Sequence, residues 1–113
     1  MSIFERIIEW NKERNLTGFN EYTERNLLLE EYDEFEDACY NGNIDEMVDA
    51  LCDIIVVATG SLFKLGYNPD QVMNETLKEI ESRKGEINKE TGKFEKFKDI
   101  ETYKAEYDKC KKV

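Results

Sequence analysis

Apolar residues recur at helical spacing along most of the chain, and one stretch breaks the pattern. From Met47 to Phe63 nearly every residue is apolar, which predicts a helix buried on most sides. Asp49 and Asp53 sit inside that run. A lone carboxylate is expensive to bury, so both need partners or a cation. A preceding helix, from about Asn20 or Glu21 to Tyr40, carries an apolar stripe of Leu28, Tyr32, Phe35 and Cys39. Glu31 and Glu34 share the bordering stripe with Leu27 and Ala38; Glu30 lies just outside it, and Asp33 and Glu36 point away.

The turn Asn41-Gly42-Asn43 joins these two helices into an antiparallel hairpin. Glu46, Asp49 and Asp53 fall within an arc of roughly 60° on the second helix. Counted back from the turn, Glu34 and Asp49 both lie about 8–9 Å away, and Glu31 and Asp53 about 14 Å. The hairpin thus offers four carboxylates at matching levels, a donor set suited to Mg²⁺ or Mn²⁺. No Lys or Arg occurs between residues 26 and 63. The competing reading of Glu30, Glu31 and Glu34 is a solvated acidic face; for Asp53, with apolar neighbours on every side, a cation is the better account. Asn43 caps the second helix of the pair, and Glu46 stands where a capping box closes, so Glu46 has a structural reading beside the metal one.

The rest of the chain frames this hairpin. Ser2 and Glu5 form a capping box opening a helix over about residues 2–15, with Ile3, Ile7, Ile8 and Trp10 on its apolar side. Gly60 and Ser61 are small enough to let another helix approach. Asn68-Pro69 starts a fourth helix to about residue 83, carrying Val72, Met73, Leu77 and Ile80. Glu86–Lys98, with Thr91-Gly92-Lys93 between apolar flanks, predicts a turn or short hairpin, a flap over the site or a contact with a neighbouring subunit. Asp99 is expected to cap a last helix to about Lys111, with Tyr103 and Tyr107 on one face. The fold class is all-α: a four-to-five-helix bundle in a single domain over residues 1–113.

Composition narrows the chemistry. Sixteen Lys plus Arg against 26 Asp plus Glu leave a net charge of −10 among 113 residues, which disfavours nucleic acid and anionic membranes. The chain has no histidine, which removes serine–histidine and cysteine–histidine catalysis, histidine-ligated zinc and the Glu-x-x-His di-iron signature. Cys39, Cys52 and Cys110 lack C-x-x-C spacing and read as reduced thiols of a cytosolic protein, with Cys39 and Cys52 as core filler. No signal peptide or membrane-spanning run is visible, so a soluble, cytoplasmic protein is expected.

Glu30-Glu31-Tyr32-Asp33-Glu34 resembles the E-E-x-x-E motif of the MazG-like all-α nucleoside triphosphate pyrophosphatases, a superfamily that includes dimeric dUTPases and phosphoribosyl-ATP pyrophosphatase. Its second motif is E-x-x-D before an apolar run. Glu46-Met47-Val48-Asp49 has those letters, whereas Asp53 with Ile54–Gly60 is more similar to the motif aspartate and its continuation; Ala50 then stands at the motif's glutamate position. The fourth ligand is therefore Asp49, with Glu46 in reserve.

Trp10–Asn15 resembles a tryptophan-containing segment of phage-type MazG-like proteins, which implies that Trp10 walls a nucleotide site; the alternative is a core anchor. Lys78, Arg83 and Lys84 match a segment whose basic residues reach substrate phosphates; the alternative is solvated surface charge. The resemblance, over about residues 7–97, implies metal-dependent hydrolysis of (deoxy)nucleoside triphosphates to monophosphate and pyrophosphate. Glu31, Glu34, Asp49 and Asp53 would hold Mg²⁺, with Mn²⁺ as a substitute, and Glu30 would act as general base. Two other readings stay open: a related hydrolase of a phosphoribosyl nucleotide, and a non-catalytic helical dimer binding a cation or a basic partner. The apolar surface of the third helix exceeds what one short chain covers, so a homodimer or homotetramer is expected.

Overall fold

The computed structural model describes residues 1–112. Helices α1 (Ile3–Glu13), α2 (Glu21–Tyr40), α3 (Ile44–Lys64) and α4 (Pro69–Ser82) precede strands β1 (Gly85–Ile87) and β2 (Phe94–Lys96). The helical class is as the periodicity predicts. The chain forms two units, Met1–Pro69 and the residues from Asp70 on.

In the first unit, local chemistry sets each helix start. Ser2 Oγ accepts from the Glu5 amide at 3.1 Å, Asn20 Oδ1 from Thr23 at 3.0 Å, and Asn43 Oδ1 from Glu46 at 3.1 Å. Each bond satisfies an amide that the first helical turn cannot. Helix α2 packs against α3, and α1 packs against α3. Ala38 and Ala50 are completely buried near the turn, where a larger side chain would separate α2 from α3. A Cβ on Gly60 would stand 3.3 Å from Asn11 Nδ2, so the small residue lets α1 close onto α3. Helix α3 is buried at Ala50, Thr59, Gly60 and Phe63, while Val48, Leu51, Ile55 and Val56 are exposed in the single chain. Cys39 and Cys52 correct the sequence reading: both are exposed, and Cys110 is the buried cysteine.

In the second unit, β1 and β2 pair antiparallel with Glu86 opposite Glu95. Gly85 is required there, because a Cβ would collide with the Glu95 carbonyl. The helix expected from Asp99 to Lys111 does not form; the segment holds one 3₁₀ turn, Tyr107–Cys110. The cause is competition for its backbone amides. The Tyr103 amide donates to Ser82 Oγ at 2.8 Å and the Ala105 amide to Glu79 Oε1 at 2.9 Å. A helix this short is marginal by itself, and α4 offers its amides better acceptors.

Candidate metal and nucleotide site

Acidic side chains converge at the α2–α3 seam, with Glu31 and Asp53 half-buried and Glu34 exposed. Glu31 and Glu34, three residues apart, face the same way from α2, and Asp53 meets them from α3. One carboxylate oxygen of each lies within 4.8 Å of the others. Glu31 is the centre of the group. Burial, then the Glu34 charge and a hydrogen bond with Glu34, then the charges of Asp53 and Glu30, push its carboxyl up to about 7. Its Oε2 is buried with no hydrogen-bond partner among the described residues. Among the described residues, no salt bridge reaches Glu31, Glu34 or Asp53.

These features fit a hard divalent cation. The donors are all oxygen, they converge, and one oxygen is buried and unsatisfied; a 2+ charge meets each of these conditions at once. Glu30 is exposed beside the group and contributes to the Glu31 shift. Asp49 and Glu46 are exposed and lie outside the converging set. Asp49 is one turn from Asp53 on the same face, and the Glu46 amide is engaged by its cap.

Two turns along α2 from Glu31 lies a feature outside the acidic motifs. Glu24 is buried and accepts from Lys64 Nζ at 2.8 Å and Ser61 Oγ at 3.1 Å. The signal was available as spacing: Glu24 precedes Glu31 by seven residues, and Lys64 follows Asp53 by eleven, so all four share the seam. Asn11 was missed as well. It follows Ile7 by four residues on the inner stripe of α1 and is buried.

Trp10 is half exposed rather than a core anchor, with the Arg14 guanidinium 4.2 Å from its ring centre. It shares a cavity of about 190 Å³ with Asn11, Glu24, Leu27, Val57 and Lys64. Lys78, Arg83 and Lys84 belong to the second unit. Lys78 pairs with Glu75 at 3.5 Å and Arg83 with Glu79 at 3.2 Å, while the Lys84 carbonyl accepts from the Phe97 amide at 2.8 Å. No helix is long and apolar enough to cross a membrane among the described residues.

Comparison with curated proteins gives no match, and neither does comparison with solved structures. The phosphoribosyl-ATP pyrophosphohydrolase family matches residues 1–79, a span that includes the whole α2–α3 seam and its acids. With its carboxylates converging inside that span, the chain belongs to the phosphoribosyl-ATP pyrophosphohydrolase family and, through it, to the MazG-like superfamily of pyrophosphohydrolases.

Proposed function

We propose that this protein hydrolyses (deoxy)nucleoside triphosphates to the monophosphate and pyrophosphate, with Mg²⁺ or Mn²⁺ held by Glu31, Glu34 and Asp53. The observation that carries the reading is the unpartnered, buried Glu31 oxygen within that carboxylate group. When bound, a divalent cation there neutralises phosphate charge and acidifies water. Asp49 and Glu46, one and two turns from Asp53, stand where a larger or second coordination shell would draw them in. Glu30 is the general base: it takes a proton from water as the water oxygen bonds to phosphorus. The α–β anhydride breaks, and its bridging oxygen leaves with pyrophosphate.

Trp10 walls the substrate site, and Lys78, Arg83 and Lys84 steady phosphates, Lys78 and Arg83 once released from Glu75 and Glu79. The exposed apolar residues of α3 support a homodimer or homotetramer in which a second copy covers them. The family match favours one second reading, in which the substrate is phosphoribosyl-ATP. Both substrates present the same anhydride, so the acids serve either.

The test is to incubate the protein with each triphosphate and with phosphoribosyl-ATP, plus Mg²⁺ or Mn²⁺, and to resolve the products. Monophosphate and pyrophosphate from common triphosphates, lost in Asp53→Ala, are expected. Turnover of phosphoribosyl-ATP alone would select the second reading. Nucleoside diphosphate and phosphate would move the cleaved bond, and no turnover of any of them would sink the hydrolase reading.

A further inference from the structure

Lys78 and Arg83 rest on acids that each have a second partner. Glu75 is 6% exposed, and its two oxygens share the Tyr103 hydroxyl at 2.8 and 2.7 Å. Lys78 Nζ stands farther off, 3.5 Å from Oε2. Glu79 repeats the arrangement. The Ala105 amide donates to its Oε1 at 2.9 Å, while Arg83 Nη2 meets its Oε2 at 3.2 Å. In both cases the shorter contact comes from the segment after Asp99, and the longer one from the basic side chain.

The distances decide what each partner does. A charge-assisted hydrogen bond settles at about 2.7–2.9 Å. The contacts of Lys78 and Arg83 are longer, and their side chains are a half and a third exposed. Such pairs are weak, because solvent screens them and a long side chain resists being held. Lys64 shows the other extreme, bound to Glu24 at 2.8 Å and nearly shut off from water. A buried carboxylate is costly once its hydrogen bonds are lost. Glu75 escapes that cost when Lys78 leaves, because Tyr103 stays and the Glu106 backbone also hydrogen-bonds it. Glu79 keeps the Ala105 amide in the same way.

We infer that Tyr103 and the Ala105 amide are positioning groups: they hold Glu75 and Glu79 so that Lys78 and Arg83 can leave for the polyphosphate of the substrate. The inference rests on the reading of Lys78 and Arg83 as residues that steady phosphates. It brings into the working protein a segment that lies beyond the family match, which ends at residue 79. Tyr103 is fastened at both ends for this role, since its amide donates to Ser82 Oγ at 2.8 Å. The exchange moves no proton and breaks no covalent bond. A cation passes from a carboxylate to a phosphate, and the carboxylate is left hydrogen-bonded.

Tyr103→Phe and Glu75→Gln, singly and combined, test this. With Mg²⁺ present, KM and kcat are measured for the triphosphates, and affinity for inorganic tripolyphosphate is measured by calorimetry. Tyr103→Phe removes the short bond, so Glu75 draws on Lys78 more heavily. KM and the tripolyphosphate Kd are expected to rise about tenfold, with kcat little changed. Glu75→Gln removes the charge that detains Lys78. Added to Tyr103→Phe, it should bring both values most of the way back. A tyrosine that only supports the fold would give no such rescue.

Unchanged KM and tripolyphosphate affinity in folded Tyr103→Phe would overturn the inference. So would a loss that Glu75→Gln fails to relieve. Tripolyphosphate binding that follows the expected pattern, without hydrolysis of any triphosphate, would leave the exchange of partners standing and remove the hydrolase reading instead.

Discussion

Glu24 and Glu31 lie on one stripe of α2, seven residues apart, and both turn a carboxylate into the α2–α3 seam. Their surroundings are opposite. Glu24 meets Lys64 and Ser61, so its charge is matched and hydrogen-bonded. Glu31 meets Glu34 and Asp53, and one of its oxygens meets nothing. One arrangement is complete within the described residues, while the other leaves a buried oxygen without a partner among them. The contrast separates a satisfied buried acid from an unsatisfied one without appeal to conservation. Burial of a carboxylate is ambiguous until its partners are counted.

The largest effect is expected from breaking the complete side. Glu24→Ala strands Lys64, which is 9% exposed, without a counter-charge. Loss of one partner from a buried pair costs about 3–5 kcal/mol, read as a lower midpoint in urea. Replacing both residues with apolar ones, as Glu24→Leu with Lys64→Met, should recover most of that loss. A wild-type midpoint for Glu24→Ala would dissolve the contrast.

Glu31→Gln tests the incomplete side, with the opposite sign for stability. It removes a charge that the fold does not satisfy, so the cation-free protein should melt at a higher temperature. Cation binding and pyrophosphohydrolysis should fall together, by about a hundredfold or more, beyond the usual loss from an outer-shell partner. Calorimetry and product analysis on one preparation would check both. Destabilisation with unchanged activity would place Glu31 among the structural acids.

These residues also show what the sequence revealed and where it stopped. The helical hairpin was legible because Asn43 and the periodicity of α2 and α3 agree. Glu31, Glu34 and Asp53 could be brought together by counting turns, since a short loop fixes the levels of both helices. Asp49 satisfied the same count, yet in the structure it stays exposed outside the group. Level alone does not tell which way a side chain leans at the rim of a seam. The Glu24–Lys64 pair escaped because its partners are 40 residues apart and Lys64 lies one residue beyond the lysine-free window. The missing last helix escaped for another reason: acceptors on α4 took its amides, a tertiary competition that helical periodicity cannot register.

A smaller and more diagnostic effect concerns pH. The Glu31 carboxyl is raised from 4.5 to about 7 by burial and its acidic neighbours. Its contribution to cation-free stability is full below 4.5 and is lost as pH rises through about 7. A cation competes with the same proton. Mn²⁺ affinity should therefore climb with pH and level off above about 7, with proton release on binding below that pH, read by calorimetry, as the check. Glu31→Gln should flatten that dependence.

The smallest effect belongs to a third acid, Glu75 of α4, whose needs are met without a cation. Tyr103 donates its hydroxyl to Glu75, 2.7 and 2.8 Å from the two oxygens, and Lys78 stands 3.5 Å away. The Tyr103 hydrogen bond, assisted by Lys78, holds the Glu75 carboxyl below its ordinary 4.5, while Tyr103 is pushed up to about 12. The sign follows from the two directions. Glu75 contributes stability above 4.5 that is lost as pH falls through its depressed value, and Tyr103 contributes below 10 until pH rises through about 12. Tyr103→Phe should therefore loosen the segment that follows Asp99 across the whole neutral range, and lose its effect in acid. Hydrogen exchange at the Ala105 amide, which donates to Glu79, reads that loosening directly. Addition of Mn²⁺ should leave this exchange rate unchanged while it slows exchange near Glu31. A metal response equal at both acids would mean that Glu75 is not self-sufficient, and that counting partners had failed to distinguish the two kinds of buried carboxylate.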